Sequence, residues 1–157
     1  MLSDEKKTVY QLARDELKLT RVQAAMKMAG DGMTVDRLTK VENGTLALHP
    51  EDVVAMSKGY NKPELRNYYC CNECPIGKID APEAVFQDNV HQILVNMAVS
   101  LESVNQKKNR LMEILADGEV DASEKRDFDT ISEELDRISA IIESLQLWCE
   151  KMKLDKE

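Results

Sequence analysis

The chain has 157 residues, of which 43% are apolar and 32% charged, with a formal net charge of −8. This length leaves room for one domain or two small ones. No run of about 18 apolar residues is present to span a bilayer, and the start, Met1-Leu2-Ser3-Asp4-Glu5, lacks the basic and then apolar order of a secretory signal. We therefore expect a cytoplasmic protein that does not enter a membrane.

Composition also predicts the fold class and locates the acidic charge. Aromatic residues, glycine and proline are few, and the abundance of good helix formers favours an all-α protein over one with strands. Residues 1–78 carry 12 basic and 11 acidic side chains, whereas residues 79–157 carry 9 basic and 18 acidic ones. The first half is close to neutral, so it can still present a local basic face to phosphates.

A first helix is predicted over Asp4–Leu17, with Ser3 as its N-cap. Its inner side would carry Val9, Leu12, Ala13 and Leu17, which recur at helical spacing.

The next stretch, residues 20–44, predicts two short helices joined by a turn. Thr20 and Thr34 stand where a hydroxyl can cap a helix start, and Gly30-Asp31-Gly32 between them interrupts the helix. Small or apolar residues recur at steps of three and four after each threonine: Val22, Ala24, Ala25 and Met28, then Val35, Leu38 and Val41. This pattern is typical of a helix-turn-helix unit, whose second helix would span Val35–Asn43.

Within these residues, Leu19-Thr20, Gly30, Thr34, Leu38 and Val41-Glu42-Asn43-Gly44 form a pattern that resembles the N-terminal domain of the Cro and phage-repressor transcription factors, the xenobiotic-response-element family. The resemblance covers roughly residues 9–65, and the turn at residues 29–33 is longer than is usual in the family. It implies a five-helix DNA-binding domain that inserts the helix after Thr34 into the major groove. It also implies that Arg21, at the start of the preceding helix, contacts a phosphate.

The residues of this reading helix that we expect to contact DNA all lie at positions predicted to be exposed. They are Thr34, Val35, Asp36, Arg37, Lys40 and Asn43. Arg37 could donate two hydrogen bonds to a guanine edge, and Lys40 could reach guanine or phosphate. The alternative is that Arg37 and Lys40 belong to an ordinary solvated helix face. Glu42 is expected to make an internal polar contact, because a carboxylate facing phosphate is unfavourable.

Two further helices complete the predicted DNA-binding domain, residues 1–74. One begins at Pro50, ends at Gly59 and directs Val53, Val54 and Met56 inward. The other runs from Pro63 to about Cys71 and contributes Leu65, Tyr68 and Tyr69.

Three cysteines at the end of this domain form the candidate metal site. Cys70 and Cys74 are one helical turn apart, and Cys71 and Cys74 have the two-residue gap common among zinc and iron–sulfur ligands. A closed zinc site would need a fourth ligand from Cys149, His91, His49 or a second subunit. Reduced thiols packing as small hydrophobes, or a redox-sensitive pair, are the alternatives.

Residues 75–82, with two prolines and a glycine, are predicted to be a helix-free linker. Beyond it, residues 83–157 predict an antiparallel pair of long helices, over residues 83–116 and 123–154. The apolar stripe of the first is Phe86, Val90, Ile93, Met97, Leu101, Val104, Leu111 and Leu115, and that of the second is Phe128, Ile131, Leu135, Ile138, Ile142, Leu145, Cys149 and Met152.

Two helices cannot cover both stripes and the apolar side chains beside them. We therefore expect a homodimer formed through this hairpin as a four-helix bundle. Folding of the hairpin back onto its own N-terminal domain is the alternative.

These features together predict a homodimeric, sequence-specific DNA-binding transcriptional regulator whose partner is double-stranded DNA. The alternative is a protein-interaction module that uses the same fold without binding DNA. An enzyme has little support, because no cysteine stands with a suitable histidine and no glycine-rich phosphate loop is present.

Overall fold

A computed structural model describes residues 7–84 and 89–154. Over these ranges it contains no strand and eight α-helices: α1 Val9–Glu16, α2 Arg21–Lys27, α3 Val35–Glu42, α4 Pro50–Gly59, α5 Glu64–Asn72, α6 Gly77–Asp80, α7 Val90–Ile114 and α8 Lys125–Leu154. The predicted all-α class and the pair of long C-terminal helices are confirmed. None of the helices in these ranges combines the length and the apolar character needed to cross a membrane.

The helices divide into two compact units. The first unit contains Met1–Ala81 together with Glu150–Glu157, and the second contains Pro82–Cys149. Each unit is described below by itself.

α1 begins later than predicted. The hydroxyl of Thr8 accepts a hydrogen bond from the Gln11 N–H at 3.2 Å and so caps the helix. The predicted cap, Ser3, lies outside the described residues. Tyr10 and Ala13 are buried, but Leu17 is exposed. The prediction that Leu17 faces inward was wrong, because the helix ends at Glu16 and the chain turns through Lys18 at φ 55°.

The starts of α2 and α3 are confirmed. Thr20 and Gln23 form a reciprocal capping box at α2, and the Thr34 hydroxyl accepts the Arg37 N–H at 3.2 Å. A single 3₁₀ turn, Ala29–Asp31, followed by Gly32 at φ +80°, connects the two helices. The positive φ at Gly32 is a conformation that glycine adopts at little cost.

α3 ends one residue before the predicted Asn43, in a Schellman arrangement. Gly44 at φ +70° donates to the Val41 carbonyl at 3.0 Å, and the next N–H, of Thr45, donates to the Lys40 carbonyl at 2.9 Å. These two bonds satisfy carbonyl groups that a helix end otherwise leaves unpaired.

The five helices α1 through α5 share one hydrophobic core. Its buried members are Tyr10, Ala13, Ala24, Ala25, Met28, Met33, Leu38, Val41, Val53, Ala55, Met56, Tyr60 and Leu65. Val22 and Val54 were predicted to point inward but are exposed. At about 100° per residue, Val22 is rotated roughly 110° away from the mean direction of Ala24, Ala25 and Met28, so it cannot share their side of α2.

α6 lies inside the segment predicted to be a helix-free linker, so that prediction was wrong. Pro75 precedes the helix rather than interrupting it, and a proline ahead of a first turn removes no helical hydrogen bond. α6 packs closely against the end of α5: a Cβ added to Gly77 would lie 2.3 Å from the Cys70 carbonyl oxygen. The absence of a side chain at Gly77 therefore permits this contact.

In the second unit, α7 begins at Val90, later than the predicted residue 83. The Asn89 side chain caps it by accepting the His91 N–H at 3.1 Å, and Phe86 of the predicted stripe lies outside the described residues. Gly118, at φ +79°, and Asp121, whose carboxylate accepts the Ser123 N–H at 2.7 Å, form the turn before α8.

α7 and α8 run antiparallel. Arg110 Nε lies 2.7 Å from Asp127 Oδ2, and Lys107 Nζ lies 3.6 Å from Glu134 Oε1. The side chains turned toward the partner helix are buried or half-buried. On α7 they are Val90, Ile93, Met97, Ser100, Val104, Lys107, Leu111 and Ile114, and on α8 they are Phe128, Ile131, Glu134, Ile138, Ile141 and Leu145. We call these positions the seam.

The seam corrects both predicted stripes in part. Most members of the two stripes are buried or half-buried as expected: Val90, Ile93, Met97, Val104 and Leu111 on α7, and Phe128, Ile131, Ile138 and Leu145 on α8. Leu101, Leu115, Leu135, Ile142 and Cys149 are exposed instead, whereas Ser100 and Ile114, which were not predicted, are buried. The seam therefore keeps most of the predicted apolar stripe, but at Leu101 and Leu115 the preceding residue is the buried one.

Candidate nucleic-acid interface

A buried carboxylate fixes the orientation of α3 relative to the two helices before it. Glu42, whose side chain is fully buried, accepts hydrogen bonds from Arg14 Nε at 2.7 Å and Arg14 Nη2 at 3.0 Å. Arg21 Nε adds a third at 2.7 Å. We call these three residues the Glu42 clamp. Glu42 thus makes the internal contact expected of it, and the clamp links α1, α2 and α3.

Arg14 makes this clamp rigid. Its Nη1 also donates to the Leu19 carbonyl at 2.7 Å, just before the α2 cap. The hydrogen bonds to Glu42 raise the pKa of the Arg14 guanidinium, although burial alone would lower it. Arg14 is therefore charged at all accessible pH values, and it offsets the charge of the buried Glu42.

Arg21 and Asn43, both predicted at DNA, lie next to each other. Arg21 Nη2 donates to Asn43 Oδ1 at 3.0 Å, while Nε binds Glu42. About a third of the Arg21 side chain is exposed. The structure thus joins the start of α2 to the end of α3 at the surface.

The outward side and the first turn of α3 contain four of the other predicted residues. Thr34, Val35, Asp36 and Lys40 are all exposed, and Lys40 Nζ pairs with Asp36 Oδ2 at 2.7 Å across one helical turn. An exposed pair of this kind stabilises the fold little. Lys40 can therefore exchange Asp36 for another anion at little cost.

Arg37, predicted to bind a guanine edge, is held within the fold. Its Nε lies 2.5 Å from Asp52 Oδ1 and its Nη2 lies 2.8 Å from Asp52 Oδ2. Asp52, in the first turn of α4, is buried and also accepts the His49 N–H at 2.9 Å. The Nε/Nη2 edge of the guanidinium is thus occupied, so bidentate contact of that edge with a base would require the Arg37–Asp52 pair to separate.

The Arg37–Asp52 pair predicts an acid-dependent loss of stability. Burial alone would raise the pKa of Asp52, but the hydrogen bonds from Arg37 and from the His49 N–H outweigh it and hold that pKa below its usual value. Ionised Asp52 contributes its full stabilisation above the pKa of an aspartate in the unfolded chain, ~3.9. This stabilisation is lost as the pH falls through the lower pKa of Asp52 in the folded chain. Asp52→Asn should lower the urea midpoint at pH 7, and the difference from wild type should shrink at pH 2.5. An equal difference at both pH values would contradict this assignment.

The predicted metal ligands are not gathered into one site. Cys70, Cys71 and Cys74 are half-buried thiols without a disulfide. Cys71 Sγ lies 3.7 Å from the Ala81 carbonyl oxygen, and Cys74 Sγ lies 3.5 Å from the Gly77 N–H. Within residues 7–84 and 89–154, no three His, Cys, Asp or Glu side chains are placed so that they could hold a metal ion. These cysteines instead contact the turn into α6.

Sequence reasoning missed two buried residues that hold this surface in place. Neither Arg14 nor Asp52 was predicted to take part in it. Each pairs with a residue far along the chain, at separations of 28 and 15 residues, and a single sequence carries no signal for such pairs. Comparison with known protein families, with characterised proteins and with solved structures finds no match.

Proposed function

We propose that this chain is a sequence-specific DNA-binding regulator that acts as a homodimer, with α3 entering the major groove. The observation that carries the proposal is the contrast between the two sides of α3. Leu38 and Glu42 on its inner side are completely enclosed, whereas Asp36 and Lys40 on its outer side are exposed, as are Thr34 and Val35 where the helix begins. A reading helix requires such a fixed mount and such an accessible face.

The charge distribution supports a modest affinity for each copy. Arg21 and Lys40 are the cations that this face offers to phosphates, and Asp36 opposes them. Residues 1–78 have a net charge of only +1, so one copy gains little from general electrostatic attraction. Two linked copies that engage half-sites about 34 Å apart would multiply their affinities.

Exposed apolar residues in the second unit support the dimer. Leu94, Leu101 and Leu115 on α7, and Leu135 and Ile142 on α8, all face solvent in the single chain. Apolar side chains in contiguous stripes are typical of interaction surfaces.

One observation favours the second candidate, a protein-interaction module. Arg37 is bound to Asp52, and the exposed side of α2 carries Val22 and Met26, the latter 72% exposed. Apolar residues four positions apart on one helix suit a protein surface better than a phosphate backbone.

Binding to a labelled duplex pool separates these candidates. We expect the wild-type chain to bind at about 50 mM salt and to weaken steeply toward about 200 mM, as phosphate contacts require. Lys40→Ala should weaken binding several-fold and reduce the salt slope by about 1. Fluorescence anisotropy across a salt series provides the measurement.

A matched control is available on α4. Lys58 is 53% exposed, as is Lys40, and it likewise pairs with one exposed aspartate, Asp31. Lys58→Ala should leave both affinity and salt slope unchanged. Failure of the wild-type chain to bind any duplex at low salt would reject DNA binding in favour of the interaction module.

A further inference from the structure

The second unit carries a second set of apolar positions beside its seam. On α7 these are Leu94, Leu101 and Leu115, each following a seam residue by one position. On α8 they are Leu135 and Ile142, which follow Glu134 and Ile141 in the same way. Members of each stripe are separated by multiples of seven residues, the repeat with which one helix packs along another.

Both stripes lie on the same face of the helix pair. One step past the seam rotates a side chain by about 100° about its helix. Because α7 and α8 run in opposite directions, this rotation leads to the same side from both helices. We call this side the leucine face.

The opposite side of the pair confirms this geometry. A cavity of about 350 Å³ there is lined by Val99, Arg137 and Ala140, which precede the seam residues Ser100, Ile138 and Ile141 by one position. Positions before the seam thus meet on one face, and positions after it meet on the other.

Corresponding apolar residues of α7 and α8 lie at the same level along the pair. Arg110 is opposite Asp127. Leu101 lies nine residues before Arg110, and Leu135 lies eight residues after Asp127. Leu101 and Leu135 are therefore at the same height along the helix axes within about 1.5 Å. By the same count, Leu94 is level with Ile142.

We propose that the leucine face binds the same face of a second copy, with the twofold axis parallel to the helices. α7 of one copy then packs on α8 of the other, so Leu101 meets the partner's Leu135 and Leu94 meets the partner's Ile142. Both copies of Val90 lie at the same end of the bundle. The role of this arrangement in holding two DNA-reading units rests on the proposed function, whereas its geometry does not.

Charge complementarity selects this orientation. In it, Lys108 reaches the level of the partner's Phe128, one helical turn from the acidic Glu124 on the same side of that helix. With the axis perpendicular to the helices, α7 would pack on α7, and Lys108 would face a leucine or the partner's Lys108. A buried lysine without an opposite charge is costly.

The area is sufficient for a stable dimer. Residues 94–115 of α7 span roughly 32 Å, and two helices side by side are roughly 20 Å wide. The face thus offers about 640 Å² per copy, or about 1,300 Å² in total, which lies within the range of specific interfaces.

Two charge substitutions on opposite sides of α7 test the surface. Leu101 is 47% exposed on the leucine face, and Val99 is 65% exposed on the cavity face. By analytical ultracentrifugation of the full chain, wild type and Val99→Glu should be dimers, whereas Leu101→Glu should dimerise at least tenfold more weakly at unchanged helix content. A monomeric wild type, or a dimer that Leu101→Glu leaves intact, would overturn the proposal.

Cross-linking between copies tests the orientation. A benzophenone amino acid replaces Leu101 or, separately, Leu94 in one copy, and the other copy carries heavy nitrogen so that mass spectrometry identifies links between copies. Links to residues 131–139 from position 101, and to residues 138–146 from position 94, are expected. Links to the partner's α7, or a dimer without links at either position, would refute the parallel axis. Neither experiment uses DNA, so the interface can stand even where the proposed function fails.

Discussion

Replacing Glu42 by alanine should destabilise the first unit by about 3–5 kcal/mol. The substitution removes the side chain that binds both Arg14 and Arg21 in the Glu42 clamp, and it leaves Arg14, which is buried, without its bidentate partner. Removal of one member of a buried ion pair costs this much because the remaining charge stays desolvated. The loss should fall on α1, α2 and α3, since the clamp joins them.

Amide hydrogen exchange of these three helices, read by mass spectrometry, measures the effect on the first unit alone. Asp36→Ala provides the control, because it also removes a carboxylate that is paired with a cation, here Lys40. The Asp36 side chain, however, is 75% exposed. Exposed pairs of this kind contribute at most about 1 kcal/mol. Similar losses for Glu42→Ala and Asp36→Ala would show that burial does not determine the strength of the clamp.

Leu38→Ala should cost about 2–5 kcal/mol, the second large effect. Leu38 is the central inner residue of α3 and is 0% exposed. Its truncation would remove buried methyl groups and leave a cavity between α3 and the rest of the core, and both losses destabilise. α3 would then lose its main apolar anchor.

Urea unfolding followed by circular dichroism, together with exchange in α3, should show this loss. Val35→Ala is the matched control on the same helix, since Val35 is partly exposed and lies outside the core. We expect it to change stability by less than about 1 kcal/mol. An effect of Leu38→Ala no larger than that of Val35→Ala would mean that α3 is not held by its apolar side.

The Arg37–Asp52 pair changes how the proposed interface is understood. Arg37 has the right chemistry for guanine, but the Nε/Nη2 edge of its guanidinium binds Asp52. In this conformation, Lys40 on the outer side of α3 can turn to a phosphate at little cost, whereas Arg21, like Arg37, donates through both Nε and Nη2 within the fold. Recognition of bases would thus depend more on Thr34, Val35 and Asp36 than the sequence suggested.

Local chemistry made the helix starts predictable. Thr20 and Thr34 cap α2 and α3 where hydroxyl residues precede an apolar repeat, and Pro50 opens α4. Two predicted helix starts differ from the structure, and in each case another residue could serve as a cap. Within the described residues Thr8, and not the expected Ser3, caps α1, and Asn89 caps α7 several residues later than predicted. Several residues can serve as caps, and packing decides which one is used.

The sequence by itself determined the all-α class, most helix positions in the first unit and the presence of apolar stripes on α7 and α8, because caps and helical periodicity are properties of neighbouring residues. Only the tertiary structure decided that Arg37 binds Asp52, that Arg14 joins Glu42, and that the seam runs through Ser100 and Ile114 rather than Leu101 and Leu115. Pairings between distant residues depend on how helices are placed in space. When one helix carries two adjacent apolar stripes, the relative rotation and register of the two helices decide which stripe meets the neighbouring helix. A local sequence pattern does not encode that rotation or register.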